Sequence, residues 1–176
     1  GGNGLLPTSS TTAMVAMGDA LVIAYLELHG FKDEVFARNH PGGSLGRKML
    51  TTIGDLMHTG EQVPVVYENS DLAVIISEMT QKRLGVTLIV DKKKQLKGII
   101  TDGDLRRMIE RKKDILKIRA RDLSDSFPKW LEQNHLATKA VQLMEKHSIT
   151  SLVVSANGKK IDGIIHLHDL LKAGII

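Results

Sequence analysis

Two short stretches carry residue types that chemistry needs. The first, RNHPGGSLGRK over residues 38–48, sets His40 before a stiffening proline and paired glycines, and ends on Arg47 and Lys48. Imidazole exchanges protons near neutral pH, so His40 is a candidate general acid or base. No second catalytic group stands near it in the sequence. The second stretch, GIITDGDL over residues 98–105, closes an apolar run and opens a helical one. At such a junction backbone N–H groups point outward and favour an anion. Thr101 offers a hydroxyl to a phosphate there, Asp104 offers two acceptors to a diol such as ribose, and Arg106 and Arg107 add positive charge. The same residues also suit simple helix capping, with Thr101 or Asp102 as the cap and Asp104 as a first-turn acid.

Two further clusters are weaker. HLHD, residues 166–169, contains zinc-ligand types, but His166 and His168 stand two positions apart at a helix start and do not share a face, so no metal is expected. Ser9, Ser10, Thr11 and Thr12 open another helical run, where holding a phosphate and capping the helix are both open readings. The chain has no cysteine, which removes disulfides and thiolate metal sites.

The elements that must position these residues follow from apolar spacing. From Thr8 the chain runs on with Met14, Met17, Leu21, Ala24, Tyr25 and Leu28 at helical intervals, and Gly30 supplies a stop. Val15, Val22, Ile23 and Leu26 fill the remaining faces, which predicts a helix over 8–29 buried in a larger body. Everything after about residue 53 repeats. LKGIITDGDLRRMI (96–109) and IDGIIHLHDLLKAG (161–174) align when Gly98 is laid on Gly163 and Asp104 on Asp169. The same shift lays Met79 on Met144 and Leu84 on Ile149. Each copy reads helix, strand, strand, helix, the helices expected near 70–82 and 136–147. Asn157-Gly158 marks a hairpin in the second copy. An Asp-Leu pair precedes each copy, Asp55-Leu56 and Asp122-Leu123, and predicts an equivalent entry turn. A unit of this size is marginal alone, so two copies packed on each other are expected.

Composition narrows the partners. Hydrophobic residues make up 42% of the chain and aromatic residues 3%, so the cores must rest on aliphatic side chains. The net charge is +4 and the pI about 9.3. Nucleic-acid binding is not expected, because stacking aromatics are missing; small anions such as nucleotides suit a mild basic excess. No window approaches eighteen consecutive apolar residues, and GGNGLLPTSS lacks the charged and apolar regions of a signal peptide. No membrane association is expected, and the cytoplasm is the expected location.

The duplicated motif, Gly, two apolar residues, Thr or Ser, then Asp-Leu three positions on, resembles the paired CBS domain over about residues 53–176. The resemblance implies a mixed α/β (α+β) fold, a tandem pair of small sheets each with two helices, with copies at 53–113 and 118–176. It also implies adenosine-type nucleotides in the clefts between copies, with the hydroxyl residue on phosphate and the aspartate on ribose. Thr101 and Asp104 match that pattern, with Arg106 adding charge. Asp169 matches in the second copy, but His166 replaces the hydroxyl residue.

The block GLLPTSSTTAMVAMGDAL through FARNHPGGSLGRK (4–48), together with DLMHTG, TDGDLRR and HDLLKAGII, resembles the D-arabinose 5-phosphate isomerases, in which a sugar isomerase (SIS) domain precedes a CBS pair. Residues 1–50 then correspond to the end of the SIS domain. The resemblance implies a parent enzyme that interconverts D-arabinose 5-phosphate and D-ribulose 5-phosphate for the octulosonate sugar of lipopolysaccharide, with His40 reaching a neighbouring subunit's site and no catalytic cofactor. The sheet and phosphate loop of that isomerase domain are missing from these residues, so binding without turnover is expected. Expected partners are an AMP, ATP or CMP-type nucleotide or nucleotide sugar, and further copies of the chain: a dimer, or a tetramer in the intact enzyme.

Overall fold

The duplicated pattern folds into two three-stranded sheets of the same topology. A computed structural model describes residues 8–30, 43–110, 117–124 and 126–176; His40, with Pro41 and Gly42, lies outside them. In the first copy β1 (Val65–Tyr67) runs parallel to β2 (Val86–Val90), which pairs antiparallel with β3 (Leu96–Thr101). In the second, β4 (Trp130–Leu131) runs parallel to β5 (Ser151–Val154), which pairs antiparallel with β6 (Gly163–His166). The expected order had two strands per copy. The extra leading strands are three and two residues long, too short to show alternation.

Seven α-helices fall among the described residues: α1 (Thr8–Leu28), α2 (Ser44–Leu50), α3 (Ile53–Leu56), α4 (Leu72–Lys82), α5 (Asp102–Glu110), α6 (Ala137–His147) and α7 (Leu167–Lys172). The repeat extends to the helix ends. Helices α4 and α6 both stop on a non-glycine residue in the left-handed region, Arg83 at φ 58° and Ser148 at φ 52°. Asp71 caps α4 by accepting from the Val74 N–H at 3.0 Å.

Three apolar clusters show how the copies join. One surrounds Ile75, Met79, Ile89 and Ile100 in the first copy, a second surrounds Met144, Leu152, Val154 and Ile165 in the second, and a third lies between the sheets with Val86, Leu88, Val153 and Ile164. The entry turns are exchanged. Ile53, which opens the first copy, is fully buried in the second copy's core, while Ala120 and Leu123, which open the second copy, are buried in the first. Matching backbone bonds fix the exchange: Ile53 N–H donates to the His135 carbonyl at 2.8 Å, and Ala120 N–H donates to the Ser70 carbonyl at 2.9 Å.

The expected Asp-Leu turns are present as α3 and as a 3₁₀ turn over Ala120–Asp122. Asp55 accepts from the Thr52 N–H and hydroxyl at 2.8 and 2.7 Å, and Asp122 accepts from the Arg119 N–H at 2.9 Å. The Thr52 hydroxyl and N–H hold the Asp55 carboxyl below the usual carboxylate range. Each exchanged segment presses on a strand glycine of the other copy. A Cβ at Gly163 would stand 2.7 Å from the His58 carbonyl oxygen and 2.8 Å from Met57 Sδ; one at Gly98 would stand 2.8 Å from Ser124 Cβ.

Helix α1 forms over Thr8–Leu28 and ends as expected, with Gly30 at φ 60°. None of its residues is buried against the described chain, so the larger body expected to cover it is not found among the described residues. Met14, Leu21, Ile23 and Leu28 all face outward. By length and composition alone it is the one helix among the described residues long and apolar enough to cross a membrane, although Asp19, Glu27 and five Ser or Thr residues interrupt its apolar surface.

Candidate functional site

The junction of β3 and α5 is a closed hydrogen-bonded corner. Asp104 Oδ2 accepts from the Thr101 N–H at 2.8 Å and from the Thr101 hydroxyl at 2.7 Å, while Thr101 Oγ1 accepts from the Asp104 N–H at 3.3 Å. This reciprocal box satisfies the helix start. Asp104 Oδ1 takes the guanidinium of Arg107, one helical turn on. One carboxylate therefore fixes both the hydroxyl and the cation.

Thr101, Asp104 and Arg107 line a cleft of about 570 Å³, which opens between the copies. Its other wall is the exchanged entry segment of the second copy, Ser126 to Lys129, and the turn after α6. Val86, Ile99, Pro128 and Ile149 give it apolar surface; Arg107 and Lys129 give it cationic side chains against the single carboxylate of Asp104, and His147 adds an imidazole. Those cations suit an anionic ligand, and the apolar side chains suit the apolar part of one. Arg106 is exposed and does not line the cleft. In its place Arg107 lines the cleft, and the three-residue step from Asp104 was the sequence signal for it.

The equivalent corner of the second copy is built differently. His166 takes the position of Thr101, and its Nδ1 accepts from the His168 N–H at 3.1 Å, so the ring acts as the helix cap. Asp169 Oδ2 accepts from the His166 N–H at 3.1 Å, which completes the same corner. The same oxygen also accepts from His58 Nε2 at 2.9 Å. His58 lies on the first copy's entry segment, held by paired backbone bonds with Ile164 at 2.8 and 3.0 Å. Asp169 thus meets a side chain of the other copy where Asp104 meets only Thr101 and Arg107 of its own, and it is not among the residues lining the large cleft. Burial lowers the His166 pKa from its ordinary 6.5, partly opposed by the charge of Asp169 and reinforced by His168 and His58.

The copies differ in length where they diverge. Asp55 to Val66 spans two more residues than Asp122 to Leu131, the surplus forming a 3₁₀ turn over Gly60–Gln62. No group of three or more His, Cys, Asp or Glu among the described residues could hold a metal ion. Ser9, Thr11 and Thr12 lie on the exposed first turns of α1, where the Thr11 and Thr12 hydroxyls donate back to the Thr8 carbonyl at 3.0 and 2.9 Å. Sequence reasoning missed Lys129, His147 and Ser151 in the cleft wall, because they belong to the other copy.

The CBS domain profile matches residues 53–111 and 120–175. Arabinose 5-phosphate isomerase KdsD of Yersinia pestis is 45% identical over 173 residues, 98% of this chain. The chain spans about half the length of that curated relative, 52%, corresponding to its C-terminal part. Among solved structures, a CBS domain protein from Pyrobaculum aerophilum complexed with AMP superposes with a TM-score of 0.60 at 19% identity, covering 68% of this chain and 89% of that one. The CBS domain of a bacterial CNNM/CorC family Mg2+ transporter in complex with ATP gives 0.62 at 13% identity, covering 75% and 92%. At such identities the likeness is one of fold.

Proposed function

Because the chain belongs to the CBS-domain family, we propose that it is the regulatory CBS pair of an arabinose 5-phosphate isomerase and binds one nucleotide or nucleotide sugar in the open cleft. The observation that carries this reading is the Thr101, Asp104 and Arg107 corner facing a cleft with cationic and apolar walls. Two solved relatives in fold hold AMP and ATP. Asp104 meets the ribose diol as acceptor, and Arg107 and Lys129 meet phosphate. The Thr101 hydroxyl, which donates to Asp104, rotates to a phosphate oxygen when the ligand arrives.

Residues 1–50 are then the end of the sugar isomerase domain, with CBS copies at 53–113 and 118–176. Helix α1 buries its apolar faces against the upstream half of the longer relatives. His40 serves the parent's proton transfer between D-arabinose 5-phosphate and D-ribulose 5-phosphate, and these 176 residues bind without turning over. The chain self-associates through its CBS pairs, in the cytoplasm, and an AMP, ATP or CMP-type ligand biases the catalytic half.

A second reading is a scaffold with no ligand. What favours it is that both oxygens of Asp104 and the nearest oxygen of Asp169 already have protein partners. Calorimetric titration of the chain with AMP, ATP and CMP separates the two. Saturable binding of any of them, lost in Asp104→Ala, supports the sensor; no heat and no rise in melting temperature with all three supports the scaffold. An isomerase assay on the same sample tests the inactivity, and measurable turnover overturns it.

A further inference from the structure

The open cleft is lined by a buried hydroxyl with no partner among the described residues. Ser151 lines the cleft and is 7% exposed, and its Oγ has no hydrogen-bond partner among the described residues. Strand alternation sets its direction. On β5, Leu152 and Val154 enter the second copy's own core while Val153 enters the layer between the sheets, so Ser151 shares the face of Val153. The equivalent position of the first copy is Val86, which lines the same cleft. An aliphatic side chain therefore suits this position for packing, and a buried unpaired hydroxyl is a cost that packing alone does not explain.

Thr87 Oγ1 is the other unpaired buried hydroxyl among the described residues. It alternates away from Val86 and Leu88, toward the first copy's interior, and does not line the cleft. The cations lie at the cleft's exposed side: the Arg107 side chain is 57% exposed, and Lys129 is also exposed. The cleft thus grades from the exposed cations Arg107 and Lys129 to the buried Ser151 hydroxyl.

We propose that Ser151 is a specificity-determining contact, its Oγ hydrogen-bonding a ring nitrogen or exocyclic group of a nucleobase whose phosphate stays at Arg107 and Lys129. This rests on the nucleotide reading of the cleft. A heteroaromatic ring is the part of such a ligand that fills apolar space beside Val86, Ile99 and Ile149 while presenting a polar edge. Ribose and phosphate carry several polar atoms each, and burying them beside Val86, Ile149 and the single Ser151 hydroxyl would leave most of them unpaired.

The test uses the full chain with AMP, CMP and ribose 5-phosphate. Ser151→Ala should weaken the nucleotide that binds by about tenfold, weaken ribose 5-phosphate less, and leave the ligand-free melting temperature unchanged or raised. Unchanged nucleotide affinity overturns the proposal, as does an equal loss for ribose 5-phosphate or a lowered ligand-free melting temperature. Failure of the unaltered chain to bind any nucleotide is a separate result; it removes the sensor reading and this contact with it.

Discussion

His58 and Asp169, 111 positions apart in sequence, meet at 2.9 Å and fasten the first copy's entry segment to the second copy's last helix. The contact uses the aspartate that corresponds to Asp104, so the two copies present one available corner between them. Nucleotide should bind with a stoichiometry of one per chain. Asp169→Ala should lower unfolding stability by about 1–3 kcal/mol, through loss of a partly buried hydrogen bond and a helix cap. Affinity at the open cleft should stay within about twofold. Denaturant unfolding and calorimetry read the two effects separately.

At the open corner, charge and architecture can be told apart. Arg107→Ala removes an exposed partner of Asp104, and exposed pairs contribute only about 0–1 kcal/mol to stability. Nucleotide affinity should nevertheless fall at least tenfold, because a cation facing the phosphate is gone. Asp104→Ala should lose both affinity and about 1 kcal/mol of stability, since Thr101 loses its reciprocal cap. Arg106→Ala should change neither, as measured by titration and thermal unfolding.

Acid should loosen the second corner. His166 is half-buried, and burial lowers its pKa below the ordinary 6.5. The unfolded chain therefore binds the proton more readily, and stability is lost as pH falls from about 6.5 through the lower folded value. Protonation also removes the Nδ1 lone pair that accepts from the His168 N–H. Asp169 opposes the effect, while His58 and His168 add to it. His166→Ser should flatten this part of the pH profile of the melting temperature; an unchanged slope would assign it to other groups.

Helix α1 contributes no buried surface to the described chain, whereas α2 packs against α6. Removing residues 1–42 should leave the melting temperature of the CBS pair within about 2 °C. The shortened chain should also be more soluble, because a large exposed apolar surface is gone. Differential scanning calorimetry and light scattering check both.

Much of this architecture was legible in the sequence. The alignment of Gly98 with Gly163 and Asp104 with Asp169 located both corners, and helical spacing placed α1, α4 and α6 to within two residues. What it could not show was which copy each segment completes. Ile53 and Ala120 are apolar residues before their own repeats, and periodicity reports an element's buried face but not its partner. The same limit hid His58, Lys129 and Ser151, whose significance arises only where one copy meets the other. Thr101 was readable as cap or ligand, and it serves as a cap in the hydrogen-bonded corner.

The exchanged entry turns bear on stability in a measurable way. Residues 53–113 alone lack Ala120 and Leu123, and residues 118–176 alone lack Ile53, each fully or nearly fully buried. Either piece by itself should show no cooperative thermal transition, while an equimolar mixture should recover one. Gly163→Ala, which drives a methyl into the His58 carbonyl, should cost the whole chain about 1–3 kcal/mol.

A chain carrying a single such repeat could finish its core only by borrowing the entry turn of another molecule, and its folding would depend on protein concentration. Placing both repeats on one polypeptide makes that partner permanently local. Folding then becomes unimolecular, and dilution cannot separate the two halves.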